Sequence, residues 1–388
     1  MPGSVVRSVC TVALAAVVVT SPVAAVAAPS PSPVGESAPE AAAPGTGAAA
    51  LLVELQKLYQ QAEEATETYN GTAAELRKRT AEAKKLDSAL VTARLSLSRS
   101  RDAAGRLARQ QYQGRSDFSS YLQLLLSRDP AQALDQGQVI QRLAAGRVAT
   151  VRRLTGAEKH ADELAKKSRK VLDKQQVLAA RQKKDRDAVQ KRLKEVEAKL
   201  ATLSADQLAE VSGLEQKGTA EAQDALVTSG ALSATRPPSE EGGEAVRYAV
   251  RQIGKPYVWG AEGPSSFDCS GLTSQAWANA GRTIPRTSQE QWRQLRKEPV
   301  SALRPGDLVI YFPKATHVAL YIGNGLVVQA PRPGSLVKVS PLASNPLLGA
   351  VRPDPDSAPL STYKAPELPQ GASGGSDDGY SVSTAPTG

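Results

Sequence analysis

Aromatic side chains are scarce in this chain, at 4% of 388 residues, with three phenylalanines and three tryptophans. So few large apolar groups cannot pack one globular core along the whole length, and 26 prolines point the same way. The architecture should be modular, part globule and part rod or tail. Cysteine is limited to Cys10 and Cys269, and histidine to His160 and His317. No Cys and His spacing suits a zinc site and no Gly-rich phosphate loop is present, so neither metal nor cofactor is expected. What is in excess is positive charge, net +9. It suits anionic surroundings such as nucleic acid, membrane lipid or an anionic cell wall, and no motif favours nucleic acid.

Residues 1–28 read as a secretory signal peptide. Arg7 precedes an apolar run from Ser8 to Val19, and Val23 to Ala28 offer Ala-x-Ala cleavage sites. The run is short of the roughly 20 apolar residues of a bilayer span, which leaves an uncleaved anchor as the lesser alternative. Cys10 sits near the start of that run, with most of the apolar stretch following it, and so does not suit a lipoprotein. Cleavage would leave Cys269 as the only cysteine, either inert and buried or a nucleophile.

Residues 29–48 form a Pro, Ala, Ser and Gly-rich linker. From Leu51 through Leu55, Leu58, Ala62, Ala65, Tyr69 and Thr72 to Leu97 a three-four spacing predicts a helix with one narrow seam. A second run, Leu154 through Ala161, Leu164 and Val171 to Leu178, weakens towards Leu200. Together they predict an all-α coiled-coil hairpin over 49–229, with small and polar seam residues that make it a weak coil. Pro130 after Asp129 signals a new helix. At the tip, Leu122, Leu124, Leu125 and Leu126 either pack inside a small helical cap or form a docking surface for a partner. His160 reads as a solvated surface residue. A second linker covers 230–243, and 244–352 should be a compact α+β domain. Its expected elements are a helix at Glu244–Ile253 and strands at 308–312, 318–322, 326–330 and 336–339. Residues 353–388 read as a disordered tail.

Cys269 opens an expected helix that runs to about Ala280. There, free backbone N–H groups and the helix dipole stabilise a thiolate and should lower the thiol pKa. Asp268 and Ser270 are its candidate caps. His317 opens the segment His-Val-Ala-Leu-Tyr-Ile, and it is the only histidine that this domain can offer Cys269 as a general base.

Four ordered stretches, YVWGAEGPSSFDCSGL from Tyr257, IPRTSQEQ from Ile284, LRPGDLVIYF from Leu303 and HVALYIGNGLVVQAPRPG from His317, resemble the NlpC-type cell-wall peptidases. That family is papain-like. The resemblance implies hydrolysis of an amide in the peptidoglycan stem peptide, commonly between D-glutamate and the diamino acid, by a secreted, cell-wall-associated enzyme. Cys269 would attack the carbonyl and His317 would carry the proton. Gln329 falls where relatives carry a His or Asn that orients the histidine, and Tyr257 where a hydroxyl lies near the nucleophile. Asp268, Ser270, Arg286 and Ser288 become candidate substrate contacts, with a structural ion pair as the alternative for Arg286. Ala261 departs from the pattern, which usually has a second glycine. The helical region resembles the coiled coils of secreted division hydrolases controlled by an ABC-transporter-like membrane complex, so the leucine tip is the candidate partner surface.

Two further expectations concern geometry. The rods should hold the catalytic cleft closed, or away from the wall, until a partner engages the tip. Gly323-Asn-Gly325 can close its hairpin in two ways. A two-residue turn would put Gln329 opposite Leu320 and on the face away from His317. A three-residue loop with Gly325 as the bulge would put it opposite Ala319, within reach of His317; the triad requires the latter. A non-enzymatic scaffold with a degenerate domain, and an amidase or acyltransferase on the same fold, are the alternatives.

Overall fold

A computed structural model describes residues 44–113, 122, 126, 130–232 and 236–373. The expected signal segment, Leu124, Leu125 and residues 374–388 lie outside the described residues.

Two long helices, α1 (Pro44–Tyr112) and α2 (Pro130–Leu200), pack side by side. They are antiparallel: Thr72 donates to Asp185 at 2.6 Å near one end, and Arg101 pairs with Glu158 at 3.3 Å nearer the other. The first helix starts inside the stretch expected as a linker, with Pro44 in a first-turn position where its missing N–H costs nothing. The second rod does not run on to 229. It stops at Leu200, and Ser204 with Gln207 forms a capping box that opens α3 (Ala205–Thr228). α3 folds back on the pair, and Leu55, Tyr59, Val196, Leu200 and Val211 form a buried three-helix core. Among the described residues, the near end of the rod thus has three helices and the far end two.

The α+β domain opens with α4 (Glu240–Val250), which starts four residues before the expected boundary. Ser239 caps it by accepting from the Gly242 N–H, and Glu240 and Glu241 favour the first turn. Gly242, read as linker, is a packing residue: a Cβ there would come within 2.9 Å of the Pro305 carbonyl oxygen. After α5 (Cys269–Asn279) and α6 (Ser288–Gln294) comes an antiparallel sheet in the order β1-β6-β2-β3-β4-β5. Its strands are β1 (Arg296–Glu298), β2 (Leu308–Tyr311), β3 (His317–Gly323), β4 (Leu326–Gln329), β5 (Lys338–Pro341) and β6 (Leu347–Arg352). β1 and β6 were not foreseen, because one is a charged edge and the other carries Gly349 where an alternation would be read. Trp277, Leu272, Phe267, Leu308, Ile310 and Leu320 fill the core between helices and sheet. The other sheet face, with Val309, Ala319 and Val327, is met by Leu226 of α3 and by Leu232.

Residues 353–373, expected as a disordered tail, are laid on the domain instead. Asp354 is buried, accepts from Ser239 Oγ and pairs with Arg304 at 2.9 Å. The Val339 N–H donates to the Ala372 carbonyl at 2.9 Å. Pro-rich chain has few N–H groups to satisfy, and that of Leu360 donates to the Pro238 carbonyl at 2.8 Å.

The β3–β4 hairpin mixes the two expected forms. Asn324 and Gly325 both have positive φ, 54° and 70°, and make a two-residue turn that pairs Gly323 with Leu326. A bulge between Tyr321 and Gly323 then shifts the register to Tyr321 with Val327 and Leu320 with Val328. One further step sets Ala319 against Gln329. The turn is therefore the shorter one, and the shift comes from an extra residue at Ile322, not from Gly325.

Candidate active site

Cys269 is the first residue of α5, and Asp268 is its N-cap, accepting from the Gly271 N–H at 2.6 Å. Only glycine fits at 271, where a Cβ would lie 2.1 Å from the Ala261 carbonyl oxygen. His317 begins β3 opposite Tyr311 and is buried. Its Nε2 lies 2.7 Å from Gln329 Oε1. The Gln329 amide nitrogen donates to Ser340 Oγ at 2.8 Å, which turns the amide oxygen towards the ring. Nε2 therefore carries a proton that it donates to Gln329, and Nδ1 is the nitrogen that can take one up. Tyr257 is buried close to Cys269.

The space in front of these groups is filled by α1. Glu63 Oε1 lies 3.3 Å from His317 Nδ1. Glu67 accepts from Ser270 Oγ and from the Ser288 N–H, both at 2.6 Å, and lies 3.8 Å from Cys269 Sγ. Asn70 donates to Asp268 at 3.0 Å, and Tyr69 meets Trp259 edge to face at 5.1 Å between centroids. At the rim, Arg77 pairs with Glu262 and Lys314 with Glu64. Glu63, Glu67 and Asn70 escaped the sequence reading, which followed the apolar seam. The available signal was their own 4-3 spacing, a polar stripe running alongside Ala62, Ala65 and Tyr69.

Arg286 pairs with Asp268 at 2.6 Å and with Glu262 at 2.9 Å, and donates to Ser270 Oγ at 2.8 Å. It is thus held in a structural ion pair at the edge of the carboxylate-binding spot. Ser288 contributes its backbone N–H, while its hydroxyl donates to the Ala315 carbonyl. His160 is exposed. Glu67, Asp268 and Cys269 bring ligand-type atoms within 4.8 Å of one another. They do not fit a metal, because the carboxylates already accept from Ser270, Ser288, Gly271, Asn70 and the Arg286 cation.

Burial, then the Glu67, Asp268 and Glu63 carboxylates, push the Cys269 thiol well above its ordinary value. This corrects the expectation of an activated thiolate: in the closed arrangement desolvation and three carboxylates outweigh the helix dipole. Burial pulls the His317 imidazole down, but Glu63 and Gln329 outweigh it and raise it. Burial and Asp268 push Glu67 up to about 7, against the hydrogen bonds from Ser270 and Ser288. Burial also keeps the Tyr257 phenol protonated.

Residues 254–349 match the NlpC/P60 family. Over 143 residues the chain is 39% identical to a probable endopeptidase of Corynebacterium glutamicum strain R, an alignment covering 37% of this chain and 68% of that protein. The chain belongs to the NlpC/P60 family. It is also 43% identical over 126 residues to the peptidoglycan endopeptidase RipA of Mycolicibacterium smegmatis, covering 28% of this chain and 25% of that protein. Among solved structures, the NlpC/p60 domain of the peptidoglycan hydrolase SagA is 37% identical, with a TM-score of 0.27, over 29% of this chain and 97% of that one. The chain thus spans 68% of the first of these two sequence relatives and 25% of the second, and the family match at residues 254–349 lies within the α+β domain.

Proposed function

We propose that this protein is a secreted, cell-wall-associated peptidoglycan endopeptidase that cuts an amide of the stem peptide on the carbonyl side of a D-glutamyl residue, and that α1 holds it latent. The observation that carries the reading is the His317–Gln329–Ser340 chain, which leaves His317 Nδ1 as the acceptor in a site that also holds Cys269. Once Glu63 and Glu67 leave, His317 takes the Cys269 proton and the thiolate adds to the scissile carbonyl. The collapsing intermediate expels the amine, which receives that proton from His317, and water then hydrolyses the thioester with His317 as base. Tyr257 is the candidate donor to the oxyanion. Gln329 orients the imidazole without adding negative charge.

The spot formed by Ser270 Oγ and the Ser288 N–H beside Arg286 binds the Glu67 carboxylate in the closed form. Such a spot suits the free carboxylate of a glutamyl residue, and Glu67 acts there as its stand-in. Release is assigned to a membrane division complex that engages the far tip, where Leu122 and Leu126 are exposed. Cys269→Ala and Cys269→Ser should abolish cleavage of purified peptidoglycan while the domain stays folded, with the wild-type products identified by mass spectrometry. Turnover by the alanine chain, or a wild-type chain inert even when the rod is released, would leave a non-enzymatic scaffold.

A further inference from the structure

α1 serves as a ruler along the cleft. Tyr59 lies under the Arg332 guanidinium at 5.0 Å, Glu63 meets His317, Glu67 meets Cys269 and Ser270, Asn70 meets Asp268, and Arg77 meets Glu262. At about 1.5 Å of rise per residue, Arg332 lies roughly 6 Å beyond the histidine contact and about 12 Å from the Glu67 contact. It stands on the side opposite the Ser270–Ser288 spot. A cavity of about 720 Å³ opens there, bounded by Glu63, Gln329, Arg332, Lys338 and Ser344. That volume lies in the range of small-ligand sites.

Arg332 is built into place. Pro331 and Pro333 flank it, and its backbone N–H donates to Ser335 Oγ at 3.1 Å. In the closed form its guanidinium holds Glu215 of α3 through two hydrogen bonds, at 2.8 and 2.9 Å. The helical region thus places a carboxylate on each side of the catalytic pair, Glu67 on one and Glu215 on the other.

We infer that Arg332 anchors a carboxylate on the leaving half of the stem peptide, about two to four extended residues past the scissile bond at about 3.3 Å per residue, since that bond lies between the His317 and Cys269 contacts. The inference rests on the peptidase reading above and adds a specificity residue to it. A two-pronged guanidinium recognises a carboxylate and loses that match against a carboxamide. The carboxylate can belong to the diamino residue itself or to the end of the peptide.

The test uses the full chain with Glu63→Ala and Glu67→Ala, so that the cleft can be vacated. Three stem peptides are compared: unmodified, amidated on the diamino residue, and amidated at the C-terminus. One amidation should raise KM about tenfold, and which one does so names the source. Arg332→Gln should erase that discrimination, and Arg332→Lys should restore part of it. In parallel, the leaving-half peptide alone is titrated calorimetrically, which needs no turnover, and Arg332→Gln should weaken it about tenfold. Equal KM for all three peptides, or an Arg332→Gln change that alters kcat for all of them alike, would show Arg332 to be only a latch for Glu215. If no peptide is cut, the peptidase reading fails, while the titration still decides Arg332.

Discussion

The two ends of the helical hairpin invert each other. Near the catalytic domain, α1 buries polar residues: Glu63, Thr66, Glu67, Asn70 and Thr72 are all at most 7% exposed. Towards the far end, apolar residues face water: Leu95, Val139, Leu143, Val148 and Val151 are each at least half exposed. One helix built as a free-standing coil would do the opposite at both ends. The near end is shaped to another surface, the cleft, whose donors satisfy its carboxylates. Among the described residues the far end leaves these apolar side chains exposed, and they are where the proposed partner would dock.

Replacing Glu63 and Glu67 together by alanine should give the largest change. It removes the groups that hold Ser270, Ser288 and His317, and turnover of the full chain should rise by about 10- to 100-fold, since each charged hydrogen bond is worth about 1.5–3 kcal/mol. Unchanged turnover would break the contrast by making the near end a mere support. Leu55, 1% exposed in the three-helix core, and Leu95, 57% exposed, sharpen it from the packing side. Leu55→Ala should cost about 2–5 kcal/mol in denaturant unfolding, and Leu95→Ser should stay within about 0.5 kcal/mol.

Acidity gives a smaller and graded effect. Glu67 is pushed up to about 7 in the closed form from an ordinary 4.5, so the closed form keeps a proton that the open form releases. Its contribution to closure is complete below about pH 4.5 and is lost as pH rises to about 7. His317, also raised by Glu63, acts in the same direction. The open population should grow with rising pH across that window, by at most about tenfold per pH unit for each group that releases its proton, and level off above it, read as the distance between spin labels on α1 and α6. A population that falls with rising pH would contradict the assignment. Within the catalytic domain, Gln329→Ala should lower kcat by about tenfold, while Gln329→His should keep most of it, because only the orientation of the imidazole is at stake.

Much of this was legible from local rules. The seam spacing showed the long helices, the Asp268-Cys269-Ser270-Gly271 run showed a helix opening on the thiol, and the need to face His317 selected the register that Gln329 adopts. What was not legible was non-local. The capping box at Ser204–Gln207 was overlooked inside a weakening repeat. Gly242 looks like linker until Pro305 is seen to pass within contact distance. Glu63 and Glu67 escaped notice because their partners, His317, Cys269 and Ser288, lie more than two hundred positions away. The raised Cys269 thiol follows from the same cause, since it depends on what covers the helix end and not on that end alone.

The central claim is that α1 covers a competent thiol, and the most direct measurement is the rate at which iodoacetamide alkylates Cys269 in the full chain near neutral pH. Cys10→Ser leaves it as the only thiol. The account predicts alkylation far slower than for a free thiol, and a rise of at least about tenfold in the Glu63→Ala, Glu67→Ala chain. A wild-type thiol that reacts as fast as free cysteine, or equal rates in the two chains, would contradict it.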